Sequence, residues 1–389
     1  MEVMPSRRSF LTGLGVVILA RAGQSGKITI IKTPEGGVQP QAVMDEAGII
    51  HVVYLYGDPA TANIGYVRKE PGAENFSKPI RVNSEPASAI ALGTVRGARL
   101  ALGRTGEVHV VWNGSSKAAP KAPGNSAPML YTRLRKDRES FEPQRNLMQC
   151  TSGLDGGGTV AADPSGTVYV LWHGQQVVNG KSNSGEGKRR VYLAQSKDSG
   201  VTFAPERPIS PAASGACGCC GMAALATRRG ELFVVYRTAR EIVHRNMNLL
   251  VSNDRGVSFK VLDLQPWDIG ACPMTTSSLT EARGRVLAGW ETNKQVYFAD
   301  VTGAGSSPVT LVAAPGSGKD RKHPAIATNA VGETLMAWTD GTGWKRGGTL
   351  NWAVFRKGAV VSTRVDAGTV PAWGMPAAIA DRNEFVIIC

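Results

Sequence analysis

Short apolar segments, polar glycine turns and β-rich runs that close on an aromatic follow one another along the chain in a fixed order. The unit is plainest in Gln39–Tyr54, Gly97–Trp112, Gly157–Trp172 and Gly221–Tyr236. Looser copies span Pro273–Trp290 and His323–Trp338, and a clipped one runs from Met375 to Cys389. Starts recur about every fifty to sixty residues, the spacing of four-stranded propeller blades. Within each copy the alternation predicts two strands, A and then B. Two more candidates follow, as in Arg190–Gln195 with Glu206–Ile209 and Asn248–Ser252 with Phe259–Leu262. Beyond the N-terminus no stretch keeps a 3.6-residue apolar period over three turns, so the fold class is all-β.

Six copies are complete. The seventh offers strands only near Pro376–Ala380 and Phe385–Cys389, while Lys27–Lys32 (KITIIK) stands alone before the first copy. The expectation is one β-propeller over residues 27–389: six four-stranded repeats and a split, partial seventh closed by the N-terminal strand. A six-bladed ring is the alternative.

The first 22 residues read as a targeting signal. Arg7 and Arg8 lie in the run Ser6–Leu11, a mild apolar stretch continues to Ala20, and Ala20-Arg21-Ala22 supplies small residues for cleavage. The paired arginines with Phe10 and Leu11 resemble a twin-arginine signal, which implies folding before export. The expected location is exported, periplasmic or secreted. The apolar stretch is too short to span a bilayer, and no later segment does so.

Composition changes the picture little. The formal net charge is +13, yet the basic residues are scattered and only Lys188-Arg189-Arg190 forms a run. A nucleic-acid surface clusters its cations and interleaves aromatics, so no nucleic-acid partner is expected. Weak attraction to glycans or anionic envelope polymers fits better.

Two turns name a family. Ser196, Asp198, Gly200 and Phe203 in one repeat, and Ser252, Asp254, Gly256 and Phe259 in the next, fit the Asp-box S-x-D-x-G-x-[ST]-[FW]. The Asp bonds turn amides, Gly supplies a positive φ and the aromatic plugs between strands. The chain therefore resembles the sialidase-like, Asp-box propellers over residues 27–389, as a divergent member. That resemblance implies glycan-directed binding or glycoside hydrolysis at a central cleft. A sialidase needs three carboxylate-clamping arginines, a tyrosine nucleophile with its glutamate, and an aspartic acid. Arg237, Arg240, Arg245, Tyr236, Glu291 and Asp340 are available, with Arg237, Glu291 and Asp340 the catalytic candidates. The F/Y-R-I-P motif is absent, however; Gln39-Pro40 stands where it should be, so strict sialidase activity is not expected.

Propeller topology places the openings of A strands and the ends of B strands on one face, here called the top, and the Asp-box turns on the other. Five of the six cysteines fall in top-face opening loops: Cys217, Cys219 and Cys220 before blade 4, Cys272 before blade 5, and Cys150 before blade 3. His323 opens blade 6 and Met375 opens blade 7. Cys217, Cys219, Cys220, Cys272, His323 and Met375 together form a candidate metal set. Three readings stand: structural disulfides in an exported protein, a redox-active thiol pair, or a soft metal centre favouring copper. If the chain is an enzyme, a glycoside hydrolase and a copper-dependent oxidoreductase are the two classes these sets suggest. His51, His109 and the recurring Trp112, Trp172, Trp290 and Trp338 read as packing residues.

Overall fold

A computed structural model describes residues 26–389 except 94, 179–180, 183–184 and 307. The leader assigned to residues 1–22 lies outside them. Seven sheets form the ring. In blades 1, 2 and 4–6 the strands pair in chain order A-B-C-D, as in Ala223–Ala226, Leu232–Arg237, Met247–Ser252 and Lys260–Gln265 of blade 4. The A strands touch one another in sequence around the ring, and Val38–Met44 of blade 1 meets Ala377–Asp381 of blade 7 to complete it. Among the described residues no helix is long and apolar enough to cross a membrane.

The seventh blade has three strands, in the order Ile28–Ile31, Glu384–Ile388, Ala377–Asp381. The N-terminal strand thus closes the ring as the split repeat predicts, and the blade count is seven. Its direction is informative: Ile28–Ile31 runs parallel to Glu384–Ile388, pairing Ile28 with Phe385 and Ile31 with Ile388. A third strand is ordinarily antiparallel to the second. Here the chain must next enter strand A of blade 1, which starts at the top, so its only geometry beside an ascending B strand is to ascend with it.

Side chains of adjacent blades fill seven interfaces, one apolar cluster to each. Trp112, Trp172, Trp290 and Trp338 are each buried in a different one. That explains why an aromatic ends the repeat: a large flat ring fills the widening gap between radially splayed sheets. His51 and His109 are buried strand residues bonded to Tyr66 and Tyr131 hydroxyls at 2.7 and 2.8 Å.

The two turns that resemble Asp-boxes sit at equivalent places, between the C and D strands of blades 3 and 4. Ser196 Oγ donates to Asp198 Oδ1 at 2.7 Å, and Asp198 accepts from the Thr202 amide and hydroxyl at 2.9 and 2.6 Å. Ser252, Asp254 and Ser258 repeat the set at 2.7, 2.9 and 2.5 Å. Gly200, at φ 78°, has no room for a Cβ against the Tyr131 hydroxyl. Phe203 packs edge-on against that tyrosine at 4.8 Å, pinning the turn to the preceding blade.

Candidate functional site

The loop that opens blade 4 lies on the top face, against the loops of blades 3 and 5. Its ends are tied down locally: the Cys217 amide donates to the carbonyl of Arg237 in the same blade at 2.9 Å, and the Gly221 amide to the carbonyl of Thr275 at the opening of blade 5 at 2.9 Å. Between these anchors Gly218 sits close under the tips of the Arg189 and Asp155 side chains. A Cβ there would lie 2.5 Å from Arg189 Nη1 and 2.9 Å from Asp155 Oδ2. Three sulfurs converge in this loop. Cys217 Sγ lies 3.4 Å from both Cys219 Sγ and Cys220 Sγ. All three are free thiols; Cys217 and Cys220 are buried and Cys219 half-buried.

A second donor group overlaps the first. Glu186, Cys219 and Cys272 bring one ligand atom each within 4.8 Å of one another, as do Cys217, Cys219 and Cys220. Cys219 belongs to both. Cys272 is exposed at the rim, so the donors grade from solvent inward. Glu186 comes from the loop between strands B and C of blade 3. There strand B runs on to Val178 (Val168–Val178), pairs with Thr151–Ser152 and Lys181–Ser182, and is followed by the turn Glu186–Lys188.

Two buried guanidiniums flank the thiols. Arg245 donates from Nη2 to Glu186 Oε2 at 2.6 Å. Arg237 donates from Nη1 to the Arg245 carbonyl at 2.7 Å and from Nη2 to the Glu291 carbonyl, and stacks over Trp267 at 4.9 Å. Three thiols in contact cannot all carry charge. Burial opposes ionisation of Cys220, but its two sulfur neighbours and the Arg237 charge outweigh it and hold its thiol well below the usual range. Cys219, bonded to Cys217 and Cys220, is pushed up.

His323 is not in either donor group; its Nδ1 is 3.3 Å from Thr276 Oγ1. Burial holds it neutral, with a pKa near 3, and His173 likewise near 4. Met375 is buried in the channel wall. Cys150 bonds the Glu206 carbonyl at 3.6 Å, outside both groups, and Cys389 ends a buried strand beside Lys32. Sequence reasoning missed Glu186 and the flanking role of Arg245. It also passed over the fact that Cys217 and Cys220 stand in C-x-x-C spacing.

Of the candidate catalytic residues, Arg237 and Glu291 come together through the Glu291 backbone, whereas Asp340 is held apart by Trp338 Nε1 at 2.9 Å and lies 3.8 Å from Arg321. No arginine clamp forms among Arg237, Arg240 and Arg245: the first is spent on carbonyls, the last on Glu186, and Arg240 is exposed. The Glu291 carboxyl accepts the Lys294 amide at 2.6 Å on Oε1, while its buried Oε2 has no partner. Burial, opposed by Arg237, pushes its pKa up to about 7.

That shift has a defined sign. A carboxyl whose folded pKa lies above its unfolded value costs stability as pH rises between the two. Wild type should therefore lose stability relative to Glu291→Gln from about pH 4.5 to about pH 7, by up to roughly 3 kcal/mol at 1.36 kcal/mol per unit, and then level off. Urea midpoints of both proteins at pH 4, 6 and 8 measure this; a pH-independent difference removes the raised pKa.

No known sequence family and no curated protein matches the chain. Solved structures do. A protein of unknown function from Dyadobacter fermentans aligns at TM-score 0.52 and 13% identity, over 81% of this chain and 94% of its own. An α-L-arabinanase from Penicillium chrysogenum aligns at TM-score 0.52 and 12% identity, over 86% and 99%. A sialidase from Trypanosoma rangeli aligns at TM-score 0.50 and 11% identity, over 79% of this chain and 53% of that one. At such identities the likeness speaks for the fold alone: the chain is a seven-bladed β-propeller whose fold is similar to that of these proteins.

Proposed function

We propose that this protein binds a cuprous ion through Cys217, Cys219 and Cys220 on its top face. The carrying observation is the contact of three sulfurs in one buried loop, at 3.4 Å from Cys217 to each of the others. Thiolates at about 2.3 Å from one ion stand roughly 3.5–4 Å apart, so little movement is needed. Thiolate donors select soft ions, and magnesium and calcium are excluded by the same chemistry. Zinc asks for four ligands in a tetrahedron. Here the further donors, Cys272 and Glu186, gather only around Cys219, which suits a three-coordinate cuprous ion better. Arg237 and Arg245 offset the negative charge that three thiolates and one monovalent cation leave behind. Folding before export, as the Arg7-Arg8 signal implies, would let the ion be inserted in the cytoplasm.

The test is elemental analysis and a free-thiol count on the mature protein taken from its exported location. One copper per chain, with three thiols shielded until a chelator is added, is the expected result. Metal-free protein with two thiols fewer after denaturation points instead to a disulfide.

A second reading has its own observation. On the same face a cleft of about 680 Å³ is lined by Arg96, Asn113, Lys121, Asp155 and the exposed Trp344. An open indole beside amide and charged groups is the usual lining for a sugar ring. A glycan-directed role would lie there, as binding or non-classical hydrolysis, because the arginines needed to clamp a sialic acid carboxylate are otherwise engaged.

A further inference from the structure

The channel holds a cavity of about 100 Å³, enclosed by the A strands of all seven blades. Its lining includes Gln41, Thr159, Thr276, Ser278 and Met375, and a single charged residue, Arg99. Arg99 opens strand A of blade 2 (Arg99–Leu102) and is 8% exposed. No carboxylate lines the cavity. The guanidinium Nε and Nη2 are both buried and have no acceptor among the described residues. Ser278 Oγ, on the same lining, is likewise buried without a partner.

A buried cation with no counter-charge is costly, by several kcal/mol per ion. Elsewhere each buried guanidinium keeps at least one acceptor, although Arg237 Nε, Arg245 Nε and Nη1 and Arg321 Nε are unpartnered too: Arg245 takes Glu186, Arg321 takes carbonyls and Asp340, and Arg237 takes two carbonyls. Arg99 stands out against that pattern, and only burial acts on its pKa, which is pulled down to about 10.

We propose that Arg99 holds a small oxyanion inside the channel, a carboxylate or an inorganic oxyanion of sulfate size. The unpartnered atoms define the class. Nε and Nη2 form one edge of the guanidinium, the edge that offers two parallel N–H bonds to two oxygens of one planar or tetrahedral anion. A halide could use only one point of that fork. The volume sets the upper limit, since pockets for larger organic ligands run from about 300 Å³ upward. The site is independent of copper, and its test needs no metal.

Metal-free mature protein, dialysed free of small anions, is titrated with acetate, sulfate and chloride at matched ionic strength. Melting temperature and calorimetric heat are the readouts. Acetate or sulfate should raise the melting temperature saturably in the wild type, with chloride weaker on the order of tenfold or more. Arg99→Met should abolish the response without lowering the anion-free melting temperature. Arg99→Lys keeps the charge but loses the fork, and should weaken oxyanion binding by about tenfold while the ring stays folded. No saturable response in the wild type overturns the proposal. So does a chloride response equal to that of the oxyanions, or a response that persists in both variants.

Discussion

If the proposed site holds a cuprous ion, Cys217→Ser and Cys220→Ser should each abolish its retention, while Cys272→Ser should leave the stoichiometry at one per chain. This follows from the grading of the donors: Cys217 and Cys220 are buried and in sulfur contact, whereas Cys272 is exposed and reaches the group only through Cys219. Outer partners of a metal site are typically worth about 10–100-fold in affinity. Arg245→Met, which removes a guanidinium beside the thiols without touching a sulfur, should fall in that range. Loss of one of three thiolates should exceed it. Competition against a cuprous chelator of known affinity measures all four proteins on one scale. The variants should stay folded, because the cysteine loop forms its own small cluster with Ala239, outside the seven inter-blade cores. Copper lost on Cys272→Ser but kept on Cys217→Ser would reverse the assignment.

The ring was legible in the sequence because its constraints are periodic. Each blade must bury an inner strand, turn, and close on an aromatic, so the pattern returns at a fixed interval, and Trp112, Trp172, Trp290 and Trp338 mark it. Cys217, Cys219 and Cys220 meet because they are neighbours in one loop, and of the cysteines in other opening loops only Cys272 comes near them, through Cys219, while Cys150 does not. Glu186 was not legible. It lies in a loop whose path is set by pairing with Thr151–Ser152, and nothing periodic marks which loop residue will face inward. Arg99 was invisible for another reason: an arginine at the start of a strand reads as solvated until the other six blades enclose it. His323 shows the limit of the positional argument. It opens its strand in register with the cysteines, but at φ 55° its backbone departs from the strand and its ring settles against Thr276.

The closure of the ring gives the sharpest test of the fold. Lys27 and Ile31 accept from Phe385 and Cys389 through their carbonyls, and the Thr33 amide donates to the Cys389 carbonyl. The odd-numbered residues therefore turn their backbones toward the C-terminal strand, and Thr29 must do so between them. Ile30 faces the other way, on the outer edge of the sheet, and its side chain is 37% exposed. Proline cannot donate and costs about 3 kcal/mol or more where it breaks a bonded backbone, but it is tolerated on the free side of an edge strand. Thr29→Pro should thus lower unfolding stability by roughly 3 kcal/mol, with Ile30→Pro costing well under half as much. The loss should be cooperative. Phe385 and Ile387, buried on the strand that Ile28–Ile31 covers, belong to the cluster shared with blade 6, while Ile388 belongs to the one shared with blade 1. Freeing that edge loosens both interfaces at once, so tryptophan fluorescence and far-ultraviolet dichroism should report one shared, earlier urea midpoint. Equal midpoints for the two proline variants would mean that the N-terminal strand does not close the ring in this register.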